Sequence, residues 1–139
     1  MKALTIWQPY ASLLVAQKQK RFETRGWATD YRGPIAIHAA MRPVRQTVEC
    51  LPLDVRGRIK GLFPGLGELD QLPTGAIIGI GVLERCNAIT EDFLAGLSPM
   101  EAALGDYSPG RFAWEFSGLH FIDPIPASRK QGLWNWEGN

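Results

Sequence analysis

The chain of 139 residues is predicted to fold as one α+β domain, 1–139: a small β-barrel of about five or six short strands with a few short interspersed helices. Three observations predict this. Apolar residues alternate with period two in several short stretches, most plainly over residues 76–86. The helical patterns between those stretches do not show the βαβ alternation of a parallel sheet. The chain is long enough to bury a core, and it carries no internal repeat or low-complexity tract.

Residues 2–7 read as a first strand, with Ala3, Thr5 and Trp7 alternating against Leu4 and Ile6. Gln8-Pro9 opens a helix, because proline is tolerated at a first helical position, and Leu13, Leu14 and Val15 make its apolar side. That helix should end around Lys18. Next comes Lys20-Arg21-Phe22-Glu23-Thr24-Arg25-Gly26-Trp27, four charges and two aromatics in eight residues. If it is extended, Arg21, Glu23, Arg25 and Trp27 share a face opposite Phe22 and Thr24. Asp30-Tyr31-Arg32-Gly33-Pro34 is a turn, and a strand over 35–39 follows, with Ile35 and Ile37 toward the core and His38 away from it.

Residues 43–63 read as a helix broken at Pro52, with Asp54 as N-cap of a second piece carrying Val55, Ile59 and Leu62. Residues 64–75 are Gly- and Pro-rich loop. In the strand 76–86, Ile78, Ile80 and Val82 form one face, while Gly79 and Gly81 strip the other for a helix, backbone or ligand to approach. Thr90 caps one helical turn, and Ser98-Pro99-Met100-Glu101 is a capping box that starts another helix. Two strands close the pattern, 111–117 and 119–122, with Phe112, Trp114 and Phe116 on one core face. Trp134 and Trp136 either lock the tail onto the barrel or wall a pocket.

Composition excludes several classes. The apolar fraction of 45% and charged fraction of 21% are ordinary for a soluble domain, no apolar run is long enough to span a bilayer, and no signal-peptide core is present. The expectation is a cytoplasmic protein with no membrane partner. Cys50 and Cys86 read as buried free thiols, and no metal or cofactor is implied. No Ser-His-Asp order or phosphate-cradling loop is seen; Arg58-Ile59-Lys60-Gly61 and Gly65-Leu66-Gly67 are too degenerate. The net charge of +1 hides an asymmetry: residues 1–60 carry eleven Lys or Arg against four acids (+7), and residues 61–139 carry four against ten (−6). Either the basic half meets a polyanion, most commonly nucleic acid, or the two halves neutralise each other in the fold.

Three blocks in order resemble the ASCH domain family (activating signal cointegrator 1 homology): Gln8-Pro9-Tyr10-Ala11-Ser12-Leu13-Leu14-Val15, then Lys20 to Trp27 as quoted, then Tyr31-Arg32-Gly33-Pro34-Ile35-Ala36-Ile37-His38-Ala39-Ala40. Gly75-Ala76-Ile77-Ile78-Gly79 and the closing Gln131-Gly132-Leu133-Trp134 fit the same pattern. The resemblance implies a PUA-like β-barrel with a cleft between first helix and barrel that takes RNA, single-stranded nucleic acid or a modified nucleoside. Some relatives are amidohydrolases acting on N4-acetylcytidine, others are described as ribonucleases, and the eukaryotic cointegrator domain is regarded as a nucleic-acid-binding module. The chain departs from the pattern twice. Gln17-Lys18-Gln19 stands where a glycine usually precedes the lysine, and Glu23 stands where the small acetylcytidine hydrolases carry threonine.

The candidate site residues follow. Lys20 can bind a phosphate or carbonyl oxygen, act as a base once burial favours its neutral amine, or brace the corner in a salt bridge with Glu23. Glu23 can accept from the exocyclic amine of a base or orient a water. Lys20 and Glu23 are thus the candidate catalytic pair. Arg25 pairs with Glu23 or clamps a phosphate, and Trp27 either stacks on a splayed base or is core. Gln8 and Ser12, at the start of the helix, either present hydrogen bonds to a ligand or merely cap it. His38 is either an acid–base group at the cleft rim or a solvent-edge residue, and His120 is structural. These residues leave three readings: an RNA- or nucleoside-binding domain, a metal-independent hydrolase, and a protein-interaction module. The oligomeric state stays open.

Overall fold

The elements form in the predicted order, and their pairing curls them into a half-barrel. The computed structural model describes residues 1–65, 67–130 and 132–138; Gln131 of the closing motif and Leu66 of Gly65-Leu66-Gly67 lie outside the described residues. Strands β1 (Lys2–Ile6), β2 (Phe22–Arg25), β3 (Gly33–Ala39), β4 (Ala76–Ala88), β5 (Phe112–Pro126) and β6 (Leu133–Asn135) make one sheet in the order β2-β5-β4-β3-β1-β6. The β1–β3 pair is parallel and the other four are antiparallel. Arg25 at the end of β2 donates to the carbonyl of Thr5 in β1 at 2.5 Å, although four steps of the sheet separate the two strands. Only a strongly curled sheet allows that contact. Among the described residues, no helix is long and apolar enough to cross a membrane.

Helix α1 (Tyr10–Val15) is a wedge, with Ala11 to Val15 all buried. Ala11, Leu14 and Val15 join Leu4, Ile35, Ile37, Leu83 and Trp114 in the barrel core. Leu13 turns the other way, into a cluster with Ile59, Phe63 and Leu104. Those partners come from α3 (Leu53–Leu62) and from the ends of α3 and α5 (Pro99–Ala103); α2 (Val44–Glu49) and α4 (Glu91–Ala95) complete the set. The helix therefore serves two cores at once. A Cβ on Gly79 would meet Val15 Cγ1 at 2.7 Å, so the bare face of β4 is where α1 presses in, as the glycine pattern predicted.

Several expectations need correction: the closing tail forms strand β6, and Cys50 is exposed and Cys86 half-buried rather than both buried. Helix α1 ends at Val15 rather than near Lys18, and β1 stops at Ile6. Pro52, not Asp54, sits at the N-cap of α3, with Asp54 in its first turn; the loop 64–75 holds a short 3-10 turn, Leu69–Gln71. The strands expected at 111–117 and 119–122 are one strand, β5, because Gly118 at φ +60° carries the backbone through a bulge where a chiral residue would be strained. The apolar face expected from Ile78, Ile80 and Val82 is split. An extra β4 residue opposite Ile37/His38 inserts Ile78 into the core with Leu83, leaving Ile80 and Val82 half-buried on the outer side. Thr90 and Ser98 cap their helices as predicted.

Candidate functional site

A cleft of about 830 Å³ opens between the end of β1, Tyr10 of α1, strand β2 with Gly26 and Trp27, and a far wall from Leu51, Pro52 and Val55 and from Ala102 to Asp106. Its floor is built by β2. Glu23 lies opposite Trp114 of β5, the largest fully buried side chain of the core, so its carboxylate faces inward. On the other face of β2, Phe22 packs with Ile89, Tyr107 and Ala113, and Thr24 is buried. The alternation predicted for Glu23 and Arg25 against Phe22 and Thr24 is the one observed.

The start of the strand is held by a residue that sequence reasoning assigned elsewhere. Ser98 accepts from the Glu101 backbone as a capping box requires, but the Glu101 carboxylate turns away from the cap. It accepts from the backbone N–H groups of Arg21 (2.8 Å) and Phe22 (3.4 Å) and from the Tyr107 hydroxyl (3.0 Å). Burial beside that carboxylate pushes the Tyr107 phenol far up, so it stays a donor. The extended conformation begins only at Phe22, and this corrects the reading of Arg21: its guanidinium pairs with Glu115 at 3.3 Å and lies over the Phe22 ring, outside the cleft.

Across the floor runs a row of alternating charge. The Lys20 ammonium, with a side chain only 2% exposed, donates to the Phe22 carbonyl and lies 3.6 Å from Glu23. On the other side, Arg25 Nε stands 3.1 Å from the second Glu23 oxygen. That contact is an ion pair by distance, yet among the described residues Arg25 Nε is buried without an aligned acceptor, while a terminal amino group of Arg25 holds Thr5. Such a pair is costly to desolvate and is rigidly placed once its hydrogen bonds are made. Tyr10 lines the same floor; burial, and then the Glu23 carboxylate, raise its phenol above the ordinary value, so it too remains a donor at neutral pH.

Trp27 forms one wall. Its indole is 39% exposed, stands edge-on to Trp114 at 4.9 Å, and its backbone carbonyl accepts from the Trp114 indole N–H. The structure thus brings together Lys20, Glu23, Arg25 and Trp27. It does not bring Gln8, Ser12 or His38 to them. The Gln8 carboxamide is fully buried, donating to Ser12 Oγ and the Pro73 carbonyl and accepting from the Ser12 backbone, so both residues brace the start of α1. His38 lies on the outer side of the sheet beneath Trp134, fully buried, and is neither at the cleft rim nor at a solvent edge. Sequence reasoning missed Trp7, Tyr10, Asp106 and Arg111 as lining residues. Trp7 and Tyr10 had a signal, two aromatics framing Gln8-Pro9; the other two reach the cleft only through the packing of α5 and β5.

A family model of the ASCH domain matches residues 4–124. The chain belongs to the ASCH domain family. A search of curated proteins finds no match to it. Every residue lining the cleft of this ASCH domain falls inside the matched span, while β6 and its Trp134 fall outside it. The glycine that the family pattern places before the lysine is replaced in function by Lys18, which takes the left-handed conformation itself at φ +57°. The backbone N–H groups of Gln19 and Lys20 then both reach the Leu13 carbonyl, so Lys20 still turns onto the cleft floor.

Proposed function

We propose that this ASCH domain binds a base of single-stranded RNA, or a free modified nucleoside, in the cleft of Lys20, Glu23, Arg25 and Trp27. The observation that carries the proposal is the partly exposed Trp27 standing beside a carboxylate set between two cations. A base is flat and polar at its edge. The indole offers stacking, Glu23 accepts from an exocyclic amine, and Arg25 and Tyr10 offer donors to ring or phosphate oxygens. The cleft volume lies within the range of roughly 300–1,000 Å³ usual for small-ligand sites. Its charged lining, three cations (Lys20, Arg25, Arg111) against two acids (Glu23, Asp106), favours an anionic strand.

The test is fluorescence anisotropy of a short single-stranded RNA across a salt series. Wild-type binding is expected to weaken as salt rises, and Arg25→Ala to lower affinity by about tenfold. Salt-insensitive binding, or none, refutes the reading.

A second reading is favoured by one observation: the Lys20 amine lies on the cleft floor 3.6 Å from Glu23. In that reading the domain hydrolyses N4-acylated cytidines, Glu23 positioning the substrate and Lys20 serving as base. Its amine is already occupied by the Phe22 carbonyl and Glu23, as a structural brace would be, which is why binding ranks first. Turnover of an N4-acylated cytidine panel, lost in both Lys20→Ala and Glu23→Ala, would reverse that ranking.

A further inference from the structure

We infer that a second nucleotide subsite, built from Trp7 on the cleft wall and Arg42 stacked behind it, adjoins the first, so that the ligand is a single strand of at least two nucleotides. The inference rests on the nucleobase-binding reading above and deepens it. Trp7 lines the same cleft as Trp27 and is 48% exposed, an unusual amount for an indole not packed into the fold. Among the described residues, the ring contacts of Trp27 are with Trp114 and not with Trp7, so the two indoles are separate platforms on one cleft. The Arg42 guanidinium lies over the Trp7 ring at 4.2 Å, and its Nε donates to the Thr47 hydroxyl at 3.0 Å. Thr47 is itself buried in α2, which helps hold the guanidinium over the indole.

This arrangement leaves two functions free. Arg42 covers one face of Trp7, and the exposed remainder of the indole can stack on a base. The anchoring bond uses Nε, and among the described residues the two terminal amino groups of Arg42 have no hydrogen-bond partner. A planar fork in that position suits the phosphate that joins two nucleotides. One base on Trp27, the next on Trp7 and the linking phosphate on Arg42 is the arrangement the second subsite would take.

Calorimetric titration with 5′-CMP and with the dinucleotide CpC tests this on the full chain. CpC is expected to bind about tenfold more tightly than 5′-CMP. Arg42→Ala and Trp7→Ala are each expected to collapse that ratio toward one, with thermal unfolding recorded alongside to show that the fold is retained. Arg42→Lys, which keeps the charge but not the flat fork, is expected to recover only part of the ratio. Equal wild-type affinities for the two probes, or a ratio unchanged in Arg42→Ala, would overturn the second subsite while leaving the nucleobase-binding reading intact. Failure of both probes to bind would remove the second subsite and the RNA-base form of the reading above.

Discussion

Two residues show how far one side chain's environment departs from its type. His38 is a lone histidine on a strand, yet its polar atoms are fully committed: Nε2 lies 2.7 Å from the Ala127 carbonyl and Nδ1 3.2 Å from the Thr5 hydroxyl, which accepts from the Trp134 indole. A carbonyl accepts only, so Nε2 carries the proton and Nδ1 accepts from Thr5. Burial lowers the imidazole below its ordinary 6.5, the Ala127 bond opposing the shift and nearby Arg129 reinforcing it. A depressed value in the folded state means that this stability is fully present above pH 6.5 and is lost as the pH falls toward the folded value. Urea unfolding should show stability declining on acidification below that point, and His38→Gln should flatten the decline. Lys18 is the second case. It holds φ +57° at the helix end, where a Cβ crowds the following carbonyl, so Lys18→Gly is expected to stabilise the chain by about 1 kcal/mol, read as a higher urea midpoint.

At the scale of elements, β2 is too short to place itself. Four residues of strand carry Glu23 and Arg25, and their register on β5 is reinforced by Glu101, whose carboxylate receives two backbone N–H groups just before and at the strand's start. Glu101→Ala would leave those N–H groups and the Tyr107 hydroxyl without their acceptor; a cost of about 1–3 kcal/mol is expected in chemical denaturation. The same variant should weaken the proposed nucleobase binding, because the floor of the cleft begins where Glu101 holds it. A capping box was legible in Ser98-Pro99-Met100-Glu101, but the use of its carboxylate was not. That choice was made by β2, some eighty residues earlier in the chain. The bulge at Ile78 and the bend at Gly118 are of the same kind, since each answers a partner strand rather than its own neighbours.

For the molecule as a whole, the sheet is sealed on its outer side by the tail. Trp134 covers Ala3, Ala36 and Ile77, and its indole N–H donates to Thr5. Thr5 also gives its backbone carbonyl to Arg25, so the tail braces the strand against which the cleft closes. Trp134→Ala is expected to cost about 3–5 kcal/mol in thermal or urea unfolding. Of the two readings offered by the closing tryptophans, the lock is the one observed. The charge asymmetry is partly absorbed by the fold: Arg21 pairs with Glu115 and Arg45 with Asp70, acids from the other half of the chain. Lys20 and Arg25 instead spend their charge on Glu23, inside the cleft.

What the sequence by itself determined was local: most of the strand and helix order, the caps at Thr90 and Ser98, the shared face of Glu23 and Arg25 opposite Phe22 and Thr24, and the family, through three motif blocks. These follow from period and from neighbours a few residues apart, which any reading of the chain can see. Only the tertiary structure decided which polar groups remain available. Gln8, Ser12 and His38 were candidates beside Arg25, but partners 4 to 89 residues distant in the chain take up their hydrogen bonds. Trp7 and Arg42 entered for the opposite reason. A side chain's chemistry is written in its type, but its freedom to act depends on what the fold has left unpaired beside it.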